Sequence, residues 1–173
     1  MKDGMLDLET FGTDPDAPVI AIGCVEFDAE GIGSTFYRII DLSTIVGNPN
    51  MDTIRWWMNQ SDEARNIFKD SAPTVSIQQA LVDFSEWVNT TGIKRVWGNS
   101  ASFDNVILRN TYKECGLKAP WMWWNDMCYR TIKNLHSGIK MSTRSGTHHN
   151  AVDDAISQAQ HLIEINNLVK VGL

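Results

Sequence analysis

The chain opens on a period of two. Leu6 and Leu8 alternate with Asp7 and Glu9, which predicts a strand with one apolar and one acidic face. Pro15 and Pro18, with Asp14 and Asp16, mark a loop. Residues 19–27 are almost continuously apolar and predict a strand buried on both faces. A turn at Asp28, Ala29, Glu30 and Gly31 leads into a third predicted strand over 34–40. The first three strands therefore read as a meander.

Helical spacing then takes over. Asp52 is placed to cap a helix through 60, and Ser61 a short one through 68. Thr74 precedes a longer pattern in which Ile77, Leu81, Phe84 and Val88 recur at helical intervals. Residues 94–98 predict a short strand. Residues 103–115 predict a helix with Val106, Ile107 and Tyr112 inward, stopped by Gly116. A further helix is expected over 126–135. Residues 136–147 are rich in Ser, Gly and Thr without periodicity, which predicts a mobile loop. The last helix is expected over 150–168, with Val152, Ala155, Ile156, Ala159 and Ile163 on its buried stripe. Strands come first and then alternate with helices. The expected architecture is α/β: one domain over residues 1–173, with a mixed sheet of about five strands flanked by helices.

Composition narrows the classes. The chain is 43% hydrophobic and 21% charged, ordinary values for a globular protein. No apolar run approaches the roughly 20 residues of a membrane span. The opening Met1-Lys2-Asp3-Gly4 has no signal-peptide apolar stretch, so a cytoplasmic location is the expectation. Cys24, Cys115 and Cys128 are far apart and form no C-x-x-C pair, which speaks against a disulfide framework or a thiolate zinc site and for free thiols. The net charge of −6 argues against tight, non-specific duplex binding. Divalent cations seated on acidic residues would offset much of it, leaving room for an enzyme that grips only the last nucleotides of a strand.

Three stretches carry candidate chemistry. Asp7 and Glu9 lie two apart on a strand, so both carboxylates share a face. They repel unless a cation lies between them, and hard oxygen donors suit Mg²⁺ or Mn²⁺. The alternative is an exposed strand end with two solvated acids. Asp104 follows the strand at 94–98 at a strand-to-helix junction, where ligands gather in α/β sheets; alternatively it only caps its helix. His149-Asn150-Ala151-Val152-Asp153-Asp154 opens the last helix. Small Ala151 and Ala155 allow close approach to the sheet, His149 can reach the same cluster, and Asp154 is the expected ligand. Asp153 is expected to serve the helix dipole. The competing reading is a solvated helix start.

The ordered set is more specific than its parts. An acid pair on the first strand, an aspartate after the fourth and H-x-A-x-x-D opening the last helix resemble the DEDDh exonucleases, the DnaQ-like branch of the ribonuclease H-like superfamily. The resemblance runs from Met5 to about Leu168. Thr53-Ile54-Arg55-Trp56-Trp57-Met58-Asn59-Gln60 and Trp97-Gly98-Asn99-Ser100-Ala101-Ser102-Phe103-Asp104 look like a bacterial and phage subgroup described as exoribonuclease-like or as phage-type exodeoxyribonuclease.

That resemblance implies a ribonuclease H-like fold and 3′→5′ hydrolysis of single-stranded DNA or RNA ends to nucleoside 5′-monophosphates. It implies two divalent cations, Mg²⁺ or Mn²⁺, held by Asp7, Glu9, Asp104 and Asp154, with His149 as general base. His148 fits worse, because its partner at the same interval would be Asp153. Glu9 divides between metal and the terminal 3′ hydroxyl. Thr10, Phe11, Trp57, Asn99 and Phe103 are the expected substrate contacts; Trp56 competes with Trp57 for base stacking, since adjacent helical residues face about 100° apart. Lys133, Lys140 and Arg144 are phosphate contacts or solvated loop charges. Trp121, Trp123 and Trp124 alternate like a short strand and read as core or as a homodimer surface. The rival readings are an oligoribonucleotide-trimming enzyme and a catalytically idle nucleic-acid-binding domain.

Overall fold

The computed structural model describes residues 2–142, 144, 146 and 149–173. Its sheet runs, from one edge to the other, through residues 74–75, 31–40, 19–28, 3–10, 95–98 and 126–128. Strands β1 (Asp3–Thr10), β2 (Val19–Asp28) and β3 (Gly31–Ile40) form the expected antiparallel meander. Strand β5 (Arg95–Gly98) pairs with β1 in parallel.

Two further strands were not legible as such. The expected helix α2 (Ile77–Thr91) is present, capped by Ser76, which accepts from the Gln79 N–H, but Thr74 ahead of it lies in a strand: β4 (Thr74–Val75) pairs in parallel with Ile39 and Ile40. Asp126 does not open a helix; β6 (Asp126–Cys128) extends β5. The Asp126 carboxylate accepts from Trp121 Nε1 at 2.8 Å and Asn105 Nδ2 at 3.0 Å, and pairs with Arg109 at 3.0 Å. Those partners hold it beside β5, and α4 (Tyr129–Leu135) starts only after the strand.

Helix α1 (Met51–Met58) is capped by Asn50, not Asp52: the Asn50 side chain accepts from Asp52 N at 2.8 Å and Thr53 N at 3.3 Å. Ser61 accepts from Ala64 N at 3.2 Å, but the segment it starts is a 3₁₀ turn, Ala64–Phe68. Before α3 (Val106–Glu114) the chain makes one π-helical turn at Ala101–Asn105. Ile107 and Tyr112 face the core as expected, while Val106 is half-buried and Leu108 is buried instead. Trp121 packs in the core, but Trp123 and Trp124 lie in a 3₁₀ turn, 67% and 58% exposed, rather than in a strand.

Side-chain alternation along β1 divides the core. Leu6 and Leu8 pack with α2 and α3 on one face. Met5 packs on the other with Val25, Phe27, Trp97 and helix α5 (Ala151–Val169). Asp7 and Glu9 share the face of Met5, beneath the start of α5. The buried stripe of α5 is Ala151, Ala155, Gln158, Ala159, Leu162 and Ile165; Val152, Ile156 and Ile163 are only half-buried flanks. Close packing at Gly23 sets this rotation. A Cβ there would overlap the backbone of Ala151 and Val152. Gly23 pairs directly with Asp7. Among the described residues, no helix is long and apolar enough to cross a membrane.

Gly23→Ala therefore forces α5 off the sheet. Overpacking of this kind costs about 1–3 kcal/mol, read as a lowered urea midpoint. A variant of wild-type stability would show that the helix does not depend on this contact.

Candidate active site

The C-terminal ends of β1 and β5 meet the N-terminal end of α5 around a cavity of about 530 Å³. Asp7, Glu9, Asp104, His149 and Asp154 all line it. The structure thus brings together all five residues that the sequence motifs singled out.

Each acid is held differently. Asp104 sits inside the π-helical turn, so it is not a simple helix cap. Its Oδ1 accepts from Leu8 N at 3.2 Å, tying the turn to β1, and its Oδ2 accepts from Ser100 N at 3.4 Å. Gly98 makes room for it: a Cβ there would lie 2.9 Å from Asp104 Oδ2. Asp7 Oδ1 accepts from Gln158 Nε2 at 2.7 Å. Asp154, in the first turn of α5, accepts from His149 N at 3.3 Å and is ion-paired with Arg144. Glu9 is buried, and its Oε1 has no hydrogen-bond partner among the described residues.

His149 has φ 62°, in the left-handed region that a β-carbon disfavours. Its imidazole meets Trp56 edge to face, with centroids 4.8 Å apart. Ligand atoms of Glu9, His149 and Asp154 lie within 4.8 Å of one another. His148 lies outside the described residues, as do Thr143, Ser145 and Thr147 of the expected mobile loop. The described part of that segment is tied to neighbouring helices. Ile139 O contacts His161 Nε2 at 2.9 Å, His161 Nδ1 contacts Tyr129 Oη at 2.7 Å, and Ser142 bonds to Glu164.

Among the described residues, Arg144 is the one cation ion-paired with an acid of the cluster. Burial, then Asp104, Glu9 and Asp154, raise Asp7 well above the ordinary carboxylate range, opposed by the Gln158 amide. Burial, then Asp154 and Asp104, push Glu9 up to about 8. Burial pushes Asp104 up to about 7 against backbone N–H groups that favour its charge, Ser100 and Leu8 foremost. Glu9 Oε1, Asn99 Oδ1 and Gln158 Oε1 are buried acceptors without partners among the described residues, and all three side chains line the cavity. Closely spaced hard oxygen donors lacking hydrogen-bond donors suit a divalent cation. The acids and His149 form a candidate metal site.

The expected substrate contacts separate. Asn99 and Phe103 line the acid cavity, and Phe103 also borders a neighbouring cavity of about 560 Å³ with Glu9, Thr10 and Trp56. Thr10 is buried: its Oγ1 donates to Gly12 O at 2.6 Å and its carbonyl accepts from Trp57 Nε1 at 2.9 Å. Trp57 is only 3% exposed and anchors α1, so the ring free to stack is Trp56, 42% exposed. Phe11 lies apart, stacked on Phe68 at 5.7 Å and lining a different cavity. Lys133 and Arg144 line the acid cavity and Lys140 does not. Gln158 was not singled out from the sequence, although its place one turn beyond Asp154 was a usable signal. Tyr37 pairs with Gly23, which pairs with Asp7, and it lines a separate cavity with His149.

Residues 2–166 match the family described as the 3′-5′ exoribonuclease Rv2179c-like domain. An exodeoxyribonuclease of Enterobacteria phage T4 is 31% identical over 123 residues, covering 62% of this chain and 54% of that protein. The chain thus spans about half the length of this curated relative. Among solved structures, Exonuclease X in complex with 5′ overhanging duplex DNA superposes with TM-score 0.62 at 16% identity, covering 98% of this chain and 93% of that one. E. coli Exonuclease I in complex with a dT13 oligonucleotide gives 0.67 at 13% identity, covering 95% and 41%. These likenesses show the ribonuclease H-like fold.

The raised carboxyls make a signed prediction. The folded protein holds their protons more tightly than the unfolded chain, whose carboxyls titrate near 4. Their contribution to stability is complete below about pH 4 and is lost as pH rises to about 8. A divalent cation substitutes for those protons. Mn²⁺ should therefore raise Tm more at about pH 8 than at about pH 5, and equal gains in thermal melts at both values would refute the assignment.

Proposed function

We propose, because the chain belongs to the 3′-5′ exoribonuclease Rv2179c-like domain family and gathers four carboxylates and a histidine at one cavity, that it is a metal-dependent 3′→5′ exonuclease. The observation that carries this reading is the convergence of Asp7, Glu9, Asp104 and Asp154 at the adjoining ends of β1, β5 and α5.

Asp7, Asp104 and Asp154, with Glu9 beside them, would hold two divalent cations, Mg²⁺ or Mn²⁺. Bound there, such ions neutralise phosphate charge and lower the pKa of water. His149 takes the proton of the attacking water on an imidazole nitrogen. Asp154 helps to place His149 by accepting its backbone N–H. Glu9, whose Oε1 has no partner among the described residues, accepts from the terminal 3′ hydroxyl. Trp56 offers its exposed ring to the terminal base, while Phe103 lines both cavities and flanks it. Arg130, Lys133 and Arg144 are cations that line the cavity and can meet an incoming phosphate. The products are nucleoside 5′-monophosphates.

The polymer is a single-stranded 3′ end, and the names of the relatives divide between RNA and DNA. Matched DNA and RNA oligomers labelled at the 3′ end, incubated with Mn²⁺, test both the activity and the choice. Mononucleotide release from either supports the reading; none from both overturns it. His149→Ala should lower kcat by roughly 10²–10⁴-fold with little change in Mn²⁺ affinity, whereas Asp7→Ala should remove both. Loss of Mn²⁺ affinity in His149→Ala would make the imidazole a ligand, an arrangement its proximity to Glu9 and Asp154 also permits.

A further inference from the structure

Helix α5 otherwise meets the sheet near this site with small or apolar side chains: Ala151, Ala155, Ala159 and Leu162 are fully buried. Besides the acid Asp154, Gln158 departs from that pattern. It lies four residues after Asp154, so the two side chains stack on one face of the helix. It is 8% exposed and lines the acid cavity. Its Nε2 donates to Asp7 Oδ1 at 2.7 Å. Its Oε1 is buried with no partner among the described residues.

The amide orientation follows from the chemistry. The Asp7 carboxyl accepts only once it is ionised, as it is when it holds a cation, and the structure has the Gln158 nitrogen facing it. The oxygen then has to find its donor elsewhere, and an unpaired buried acceptor is unfavourable. A structural glutamine would satisfy both ends. This one satisfies the end that fixes an acid, and no described residue donates to the other, which belongs to a side chain lining the acid cavity. A water entering with a cation can supply that donor.

We propose that Gln158 is a positioning residue for the cation held by Asp7. Its Nε2 fixes the rotation of the Asp7 carboxylate, so that one oxygen is engaged and the other is turned to the cation. Its Oε1 accepts a hydrogen from a water that enters with that cation. Groups that orient metal ligands in this way typically carry 10–100-fold in metal affinity or activity. The inference rests on the metal-dependent reading above, but its main readout needs no nucleic acid.

The test uses Gln158→Met, which keeps the length and helix propensity and removes both polar atoms. Gln158→Asn keeps the amide but withdraws it by one methylene. Mn²⁺ binding to the full chain is measured by titration calorimetry, alongside kcat and KM on the labelled oligomer and a thermal melt without metal. In both variants Mn²⁺ should bind at least tenfold more weakly and kcat should fall at subsaturating Mn²⁺, recovering as Mn²⁺ is raised, with KM for the oligomer within about twofold. Rescue by excess metal separates this role from a purely structural one, which added Mn²⁺ would not repair. Should Gln158→Met not fold, Gln158→Asn is read alone. Mn²⁺ affinity within twofold of wild type in the folded variants would overturn the proposal. A wild-type protein that binds Mn²⁺ but releases no mononucleotide would overturn the exonuclease reading and leave the role of Gln158 to be judged on binding.

Discussion

The site exists because α5 can lie with its backbone directly on β2. Gly23 has no side chain, so Ala151 and Val152 pass where a Cβ would stand. Gly23 faces Asp7 across the β1–β2 pair. The contact that seats the helix therefore also places its first turn over the first acid. Asp154 follows within that turn and Gln158 one turn later, both facing the cavity. Gly98 performs the same service at the end of β5, where the missing side chain lets the π-helical turn fold back and brings Asp104 to the Leu8 N–H. Two absent side chains set the spacing of three carboxylates.

That spacing is electrostatically unfavourable, and the compensation is uneven. Asp104 has backbone donors at both oxygens. Asp7 has one amide, and Asp154 has Arg144 and a backbone N–H. Glu9 Oε1 has nothing among the described residues and Glu9 is raised to about 8. Packing alone would favour apolar side chains at such positions, since an unpaired buried charge is expensive. The cluster makes sense as half of an assembly whose cationic half is supplied from solution. The gradient among the acids also fits a division of labour. Asp104 and Asp7 are held in place before anything binds, whereas the free oxygen of Glu9 is open to a second partner.

The sequence made legible whatever depends on local period or on motif order. The meander and the acid face of β1 came from alternation, and the five candidate site residues from a motif order that resembles the DEDDh exonucleases. What escaped depends on partners distant in sequence. Strands β4 and β6 have two and three residues, too short for any period, and exist only because β3 and β5 offer them an edge. The stripe of α5 is turned towards Ala151, Ala155 and Gln158 by the Gly23 contact, which hydrophobicity does not encode. Trp57 and Trp56 are equal by composition. They part because one indole N–H reaches the Thr10 carbonyl and is thereby withdrawn into the core.

That last bond reaches beyond a choice between two tryptophans. Thr10 ends the strand that carries Asp7 and Glu9, and the next residue, Phe11, gives its carbonyl to Asn50 N at 2.6 Å, at the cap of α1. Helix α1 is thus fastened at two points to the continuation of the acid-bearing strand. Trp56 is set on the exposed side of that helix and meets His149 edge to face. The opposite wall is α5, fixed to the same strand through Gly23 and β2. One wall offers an aromatic face and the other Asp154, with Asp7 and Glu9 on the strand between them, and both walls take their position from β1. A strand end lodged between them would have its base and its scissile phosphate measured from one rigid element, which is the condition for the small positional tolerance that hydrolysis demands.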